Sequence, residues 1–313
     1  MTTHPVVTFI GIDVAKLSLQ ASDAAGQHTL AVNNDACGHR KLIAWLKTFP
    51  APVRIVCEAS GGYEKSLIQA LLRANLDICR VHPGRVRHFA RALGRLAKTD
   101  PIDAALLAAY GQMLDPRLLE PARPDQEHLR ALFDRRQQLV DQRTAERNRA
   151  QTADPVLHAL IQKMIGFLDE QITAIERLLD QHLEANAPLK AKALRLEQVQ
   201  GVGRVTSTVL LAHLPELGTL DRRQAAALAG VAPFNRDSGP VQAKRSIAGG
   251  RALVRKILYM AATTAAQHNP ILRAFYQRLL AHGKKPKVAL VAVMRKLIVL
   301  LNHLLKNPHF SLA

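Results

Sequence analysis

The first apolar run constrains this chain most: Val6, Val7, Phe9 and Ile10 lead into Gly11, Ile12 and Asp13. A short β-rich stretch ending in a carboxylate predicts a buried central strand, Val6–Asp13, that carries one acid to the edge of a sheet. A second run, Val53–Cys57, stops the same way at Glu58. The segment Lys98-Thr99-Asp100-Pro101-Ile102-Asp103 then adds two acids, spaced to share one face of a helix's first turn. Four like charges gathered in one place repel strongly at low dielectric. Their convergence makes physical sense when divalent cations sit among them and hold a phosphate. Taken singly, each acid also has a structural reading: Asp100 as an N-cap with Pro101 first in the helix and Asp103 closing a capping box, and Asp13 and Glu58 as starters of turns.

The segments around these acids have an ordered texture. Leu17–Ala21 and His28–Val32 alternate as hairpin partners of the first strand, turning at Ala25 and Gly26. Leu42, Ile43, Trp45, Leu46 and Phe49 stripe a helix that stops before Pro50 and Pro52, and Val53–Cys57 returns as a parallel strand. Gly61 and Gly62 turn the chain into a helix over Tyr63–Ala74, and Ile78–Val81 forms a fifth strand closed by Pro83. Three antiparallel strands followed by helix-linked parallel ones make an RNase H-like α/β order, with Asp13 on the central strand and Glu58 beside it.

From about Gln126 to Ala187 a helical stripe runs through Leu129, Leu132, Leu139, Leu157, Ile161, Ile165, Leu168, Ile172, Ile175 and Leu179, broken near Ala153-Asp154-Pro155. Such a period predicts long helices, either a hairpin or coiled-coil arm that joins protomers or an intramolecular bundle. At Val199-Gln200-Gly201-Val202-Gly203-Arg204 two helices meet as a helix-hairpin-helix, whose exposed N–H groups can take up a phosphate, or as a plain connector. Further on, Ser238 precedes a Gly-Pro bend and faces Lys244, Arg245 and Arg251. A hydroxyl ringed by cations is what a phosphoryl-transfer nucleophile needs, although loop serines also serve simply as turn formers.

Charge distribution narrows the partner. The net charge is +18, and residues 238 to 313 hold 13 Lys and Arg with no Asp or Glu. A second stripe, Arg80, Arg85, Arg87, Arg91, Arg95 and Lys98, also contains no acid. Cationic surplus concentrated this way is the footprint of a polyanion, with Lys284, Lys285 and Lys287 in the tail among the expected contacts; the alternative is solvated helix faces. The cysteines Cys37, Cys57 and Cys79 lack paired spacing, which argues against a disulfide framework or a zinc site and fits a reducing compartment. No leader-like segment opens the chain, and the apolar run Val288–Met294 is interrupted by Arg295 and Lys296, so a soluble, cytoplasmic protein with no membrane contact is expected.

The segments GID with Asp13, CEASGGYE with Glu58, KTDPIDA with Asp100 and Asp103, GVGRVTSTVLLAHL, and GVAPFNRDSG through GGRALVRKILYMAA together resemble the DEDD-type transposases of the insertion-sequence family numbered one hundred and ten, relatives of the pilin-gene invertases. The resemblance covers nearly the whole chain in order. It implies a RuvC-like catalytic domain at 1–120 with the acid tetrad as Mg²⁺ (or Mn²⁺) ligands, a helical coiled-coil linker at 121–190, and a mostly α transposase domain at 191–313 whose nucleophilic serine falls on Ser238. Ser246 stands where many relatives have a basic residue, placing a second hydroxyl nearby. Also implied are a bacterial cytoplasmic setting, donor and target DNA, a non-coding bridge RNA as guide, and a dimer or tetramer. The expected chemistry is metal-assisted strand exchange through a phosphoserine. A junction-resolving nuclease that uses water is the alternative, and a non-catalytic nucleic-acid-binding protein would keep the basic stripes without four converging acids.

Overall fold

A computed structural model describes residues 7–95, 99–121, 123–234 and 246–311. The chain forms two compact units, Met1–Pro121 and Ala122–Ala313. In the first, the strands β1 (Thr8–Val14), β2 (Ser18–Asp23), β3 (Thr29–Asn33), β4 (Val53–Glu58) and β5 (Asp77–Val81) lie in the order β3-β2-β1-β4-β5. The pairs β1/β2 and β2/β3 are antiparallel, whereas β1/β4 and β4/β5 are parallel. This is the RNase H-like order expected, with strand limits within two residues of those read from the sequence.

Side-chain alternation fixes which face each residue serves. Ile10, Ile12, Ile55, Cys57 and Ile78 pack with Leu42 and Leu46 of α1 (Ala36–Leu46) and Leu67 and Leu71 of α2 (Glu64–Arg73). Val56, Cys79 and Val81, joined by Phe9, form the other face with Val86 of α3 (Pro83–Ala92) and Leu106, Leu107 and Tyr110 of α4 (Asp100–Leu114). Asp13 shares the parity of Phe9, and Glu58 that of Val56, so both acids belong to the α3/α4 face. The parallel register pairs Ile12 with Cys57, which puts the two acids one step further along on adjacent strands.

α4 comes unusually close to β1. A Cβ on Gly11 would stand 2.0 Å from the Ala104 carbonyl oxygen and 2.5 Å from the Ala108 nitrogen, so only a glycine permits this approach. The first turn of α4 is thereby held against the strand that carries Asp13. The capping-box reading of this turn is corrected: the N-cap is Thr99, without a side-chain cap bond, and Asp100 lies inside the helix.

Among the described residues, the regular elements of the second unit are helices and one short ladder. The helices α5 (Pro124–Ala150) and α6 (Pro155–Ala185) pack as a hairpin across the break at Asp154, whose carboxylate accepts from the Val156 N–H at 2.9 Å. Leu139, Leu168 and Ile172 pack along it, with Arg136 paired to Glu176 at 2.6 Å and Arg143 to Asp169. At its base, Leu129, Phe133, Leu179 and Leu183 join one core with α7 (Ala187–Glu197), α8 (Arg204–His213), α9 (Arg222–Leu228), α10 (Ala252–His268), α11 (Pro270–Ala281) and α12 (Pro286–Lys306). Within the chain, then, the long helices pair with each other, and their base belongs to a bundle.

α12 departs from the expectation of a short, interrupted apolar run, because it is long and apolar enough to cross a bilayer. Half of its apolar window is buried within the fold. Val293, Met294, Leu297, Ile298 and Leu301 form core, while Arg295 and Lys296 occupy the exposed face, the pattern of an amphipathic core helix.

Candidate active site

β1 and β4 end at the same rim, and α4 begins there, so three elements bring Asp13, Glu58, Asp100 and Asp103 to one region. A cleft of about 420 Å³ is lined by Asp13, Glu58 and Asp103 together with Arg87, Arg91 and Arg95. Arg87 and Arg91 are four residues apart on α3 and therefore share a helix face. Arg85, on the same helix, is exposed but does not line the cleft. Lys98 lies outside the described residues.

The electrostatics tie the four acids together. The Asp13 carboxyl is pushed up to about 6, first by burial and then by the negative charges of Asp100, Asp103 and Glu58, against a weaker pull from the Val14 backbone. All three neighbours thus act on Asp13, so each lies within electrostatic reach of it. A carboxylate-only donor set suits a hard cation such as Mg²⁺ or Mn²⁺, and a cation among these oxygens would relieve the repulsion Asp13 experiences. Among the described residues, no group of three or more His, Cys, Asp or Glu side chains is drawn together tightly enough to hold an ion as it stands.

A pH dependence follows from the raised Asp13 carboxyl. The folded protein holds this proton more tightly than the unfolded chain, whose carboxyl titrates near 3.8. Stability is therefore undiminished below about pH 4, falls as the pH rises through about 6, and stays lower above it. Two pK units correspond to nearly 3 kcal/mol, but Asp13 is only partly buried, and solvent screening reduces this to about 1 kcal/mol. Asp13→Asn should stabilise the metal-free protein by about that amount at pH 8 and by less at pH 5, read by urea unfolding in EDTA. An equal change at both pH values would remove charge repulsion as the cause.

The other expected site residues lie in the second unit. Ser238, Lys244 and Arg245 lie outside the described residues. The residues flanking that segment are paired as an antiparallel ladder, Pro233 with Ile247 and Phe234 with Ser246, and Ser246 is exposed. Arg251 has partners within the fold: its guanidinium makes a bidentate pair with Glu216 at 2.6 and 2.7 Å and also donates to the His213 carbonyl at 2.7 Å, which braces the start of α10. Lys284, Lys285 and Lys287 are exposed where α12 begins.

The connection between α7 and α8 contains Gly201 and Gly203. Gly201 has φ of 101°, and a Cβ there would stand 2.6 Å from that of Ala265, so its glycine is required by docking of the turn on α10. Gly203 is the N-cap of α8, and a Cβ there would meet open space.

Sequence reasoning assigned no role to Glu64. It is 3% exposed, and its carboxylate sits beneath the loop that follows Glu58. The available signal was a carboxylate placed just after a Gly-Gly turn in CEASGGYE.

Comparison with known proteins gives concordant matches. A sequence model of DEDD transposases of the IS110 type, described as "Transposase", matches residues 10–153, and one described as "Transposase IS116/IS110/IS902 family" matches residues 193–277. The pilin gene-inverting proteins of Moraxella bovis and Moraxella lacunata are each 27% identical, over 302 and 303 residues, covering 94% of this chain and 94% of each relative. An uncharacterized 43.6 kDa protein of insertion element IS110 from Streptomyces coelicolor is 29% identical over 198 residues, covering 62% of this chain and 47% of that protein. Among solved structures, T. thermophilus RuvC in complex with a Holliday junction substrate matches 36% of this chain and 100% of its own, at 15% identity and a TM-score of 0.28.

Proposed function

This chain belongs to the IS110 family of transposases, and on that premise we propose that it is a recombinase that cuts and rejoins DNA through a serine–phosphodiester intermediate. The observation that carries the reading is the cleft in which Asp13, Glu58 and Asp103 of β1, β4 and α4 stand with Arg87, Arg91 and Arg95, while the Asp100 charge also acts on Asp13. Asp13, Glu58, Asp100 and Asp103 would hold Mg²⁺ or Mn²⁺, which when bound neutralises charge on a phosphate. Arg87, Arg91 and Arg95 bind neighbouring phosphates and orient the strand. The Ser238 hydroxyl attacks phosphorus, so that its Oγ–P bond forms as the P–O bond to the departing strand breaks and leaves a hydroxyl end. Attack by another strand's hydroxyl regenerates the serine, and no external energy is needed because the phosphodiester is conserved.

The test is incubation with DNA, Mg²⁺ and candidate structured RNA, followed by denaturing electrophoresis and mapping of any adduct. The adduct should form with the parent and with Ser246→Ala and be absent with Ser238→Ala. Cleavage without an adduct would favour the second reading, a junction-resolving nuclease using water, which the presence of the whole acid set within the first unit makes chemically self-sufficient.

The cationic tail and the cleft arginines fit two nucleic-acid partners, DNA and a guiding bridge RNA, in a soluble cytoplasmic setting. If these arginines hold phosphates, changing Arg87, Arg91 and Arg95 together to Ala should flatten the dependence of log affinity on log salt by about 2 to 3, at roughly 0.7 to 0.9 per lost contact. An unchanged slope would make these arginines solvated surface. Lys284, Lys285, Lys287 and the α8 N-terminus at Gly203 offer phosphate contacts of the same kind on the second unit.

Assembly is the remaining part of the reading. Besides the seam that packs on α5, α6 carries Leu157, Leu160, Met164 and Phe167, all exposed and spaced three, four and three residues apart. That is the spacing of a coiled-coil seam, and a second copy of α6 provides its match.

A further inference from the structure

The loop that leaves Glu58 is short and tightly specified. After β4 ends, the Ala59 N–H donates to the Val81 carbonyl at 3.1 Å, continuing the ladder to β5 by one residue. The chain then turns through Ser60, Gly61 with φ of 72° and Gly62 with φ of 109°, and enters α2 at Glu64. Nothing in this backbone favours a single conformation by itself, since two consecutive glycines with positive φ are the most permissive pair available.

What closes the loop is a buried carboxylate. One Glu64 oxygen accepts from the Gly62 N–H at 2.8 Å, the Ser60 N–H at 3.2 Å and the Ser60 hydroxyl at 3.2 Å. Its other oxygen lies 3.6 Å from the Arg80 guanidinium on β5. Burial works against the charged form, yet the N–H groups of Glu64, Gly62 and Ser60, with the Ser60 hydroxyl, hold this carboxyl below the usual range. A buried anion with this many donors is rigid, because every donor it releases is left unsatisfied. It spans both sides of the loop: Ser60 is two residues past Glu58, Gly62 is at the bend, and Arg80 is on the neighbouring strand.

The geometry points to Glu64 as a positioning residue for Glu58: its carboxylate ties the 59–63 loop to β5 and so fixes where the Glu58 carboxylate stands in the acid cleft. The inference rests on the proposed role of the four acids in holding a divalent cation. Glu64 touches neither cation nor substrate, and its effect is transmitted through the loop backbone. Arg80, counted by sequence among the cationic stripe, is then part of this brace.

The test measures Mn²⁺ binding to the full chain by electron paramagnetic resonance, beside DNA affinity and thermal midpoint, for the parent, Glu64→Gln, Glu64→Asp, Ser60→Ala and Glu58→Gln. Losing a group bonded directly to a metal ligand costs about 10- to 100-fold in metal affinity, and Glu64 acts one step further out, through Ser60 and Gly62. Glu64→Gln should therefore weaken Mn²⁺ binding by up to about 10-fold with DNA affinity unchanged, Ser60→Ala should weaken it less, and Glu64→Asp should recover part of it. A merely structural role would lower the thermal midpoint and leave the Mn²⁺ affinity of the folded fraction at the parent value; that result overturns the inference. Should Glu64→Gln fail to fold, Ser60→Ala decides, and parent-like Mn²⁺ affinity there also overturns it. The Glu58→Gln arm separates the two readings: if that variant binds Mn²⁺ as the parent does, the acid tetrad itself is wrong, whereas loss in Glu58→Gln with none in Glu64→Gln rejects only the positioning role.

Discussion

Asp13→Asn and Glu58→Gln should each lower DNA strand cleavage by about a thousandfold or more, with DNA affinity close to that of the parent. Removing a single group that stabilises charge in a transition state costs on the order of 10²- to 10³-fold, and a variant that also loses a cation ligand stands at or beyond the upper end. Affinity should survive because the phosphate grip proposed for Arg87, Arg91 and Arg95 and the tail lysines is left in place by the substitutions. Asp100→Asn and Asp103→Asn should behave alike, since both charges act on Asp13. Single-turnover cleavage beside filter binding at fixed salt checks this, and full cleavage by the Asp13 and Glu58 variants would sink the tetrad.

The second large effect is a restoration of activity. Ser238 is 135 residues beyond Asp103, with the long helices α5 and α6 between them. If α6 seams join two copies, the serine of one chain can meet the acids of another. Asp13→Asn and Ser238→Ala proteins, each inactive alone, should recover partial cleavage when mixed under conditions of subunit exchange. The covalent adduct should sit on the Asp13→Asn chain, which keeps its serine. Adding Leu160→Asp and Phe167→Asp to both proteins should abolish the recovery, because a charge in each seam opposes its burial. Mixed oligomers that form without recovering activity would mean that serine and acids meet within one chain.

Much of this protein is decided by local periodicity. Alternation along Thr8–Val14 and Val53–Glu58, the turn at Gly26 and the helical stripe between them dictate a strand order, and with it the common face of Asp13 and Glu58, because the parity of a strand is intrinsic to its pleat. The break at Asp154-Pro155 likewise ends one long helix and starts the next through capping and the missing proline N–H, which are local effects.

Partner choice among the charged residues was decided only by the tertiary structure. The sequence presents Arg80, Arg87, Arg91, Arg95 and Arg251 as equivalent cations, yet Arg80 is drawn to buried Glu64 and Arg251 to Glu216, while Arg87, Arg91 and Arg95 line the acid cleft. Thr99, not Asp100, caps α4, and the close seat of that helix on Gly11 is what carries Asp100 and Asp103 to Asp13. These outcomes depend on which faces pack against which. A carboxylate's or guanidinium's partner is set by distance and burial across elements far apart in the chain, and no local spacing encodes either.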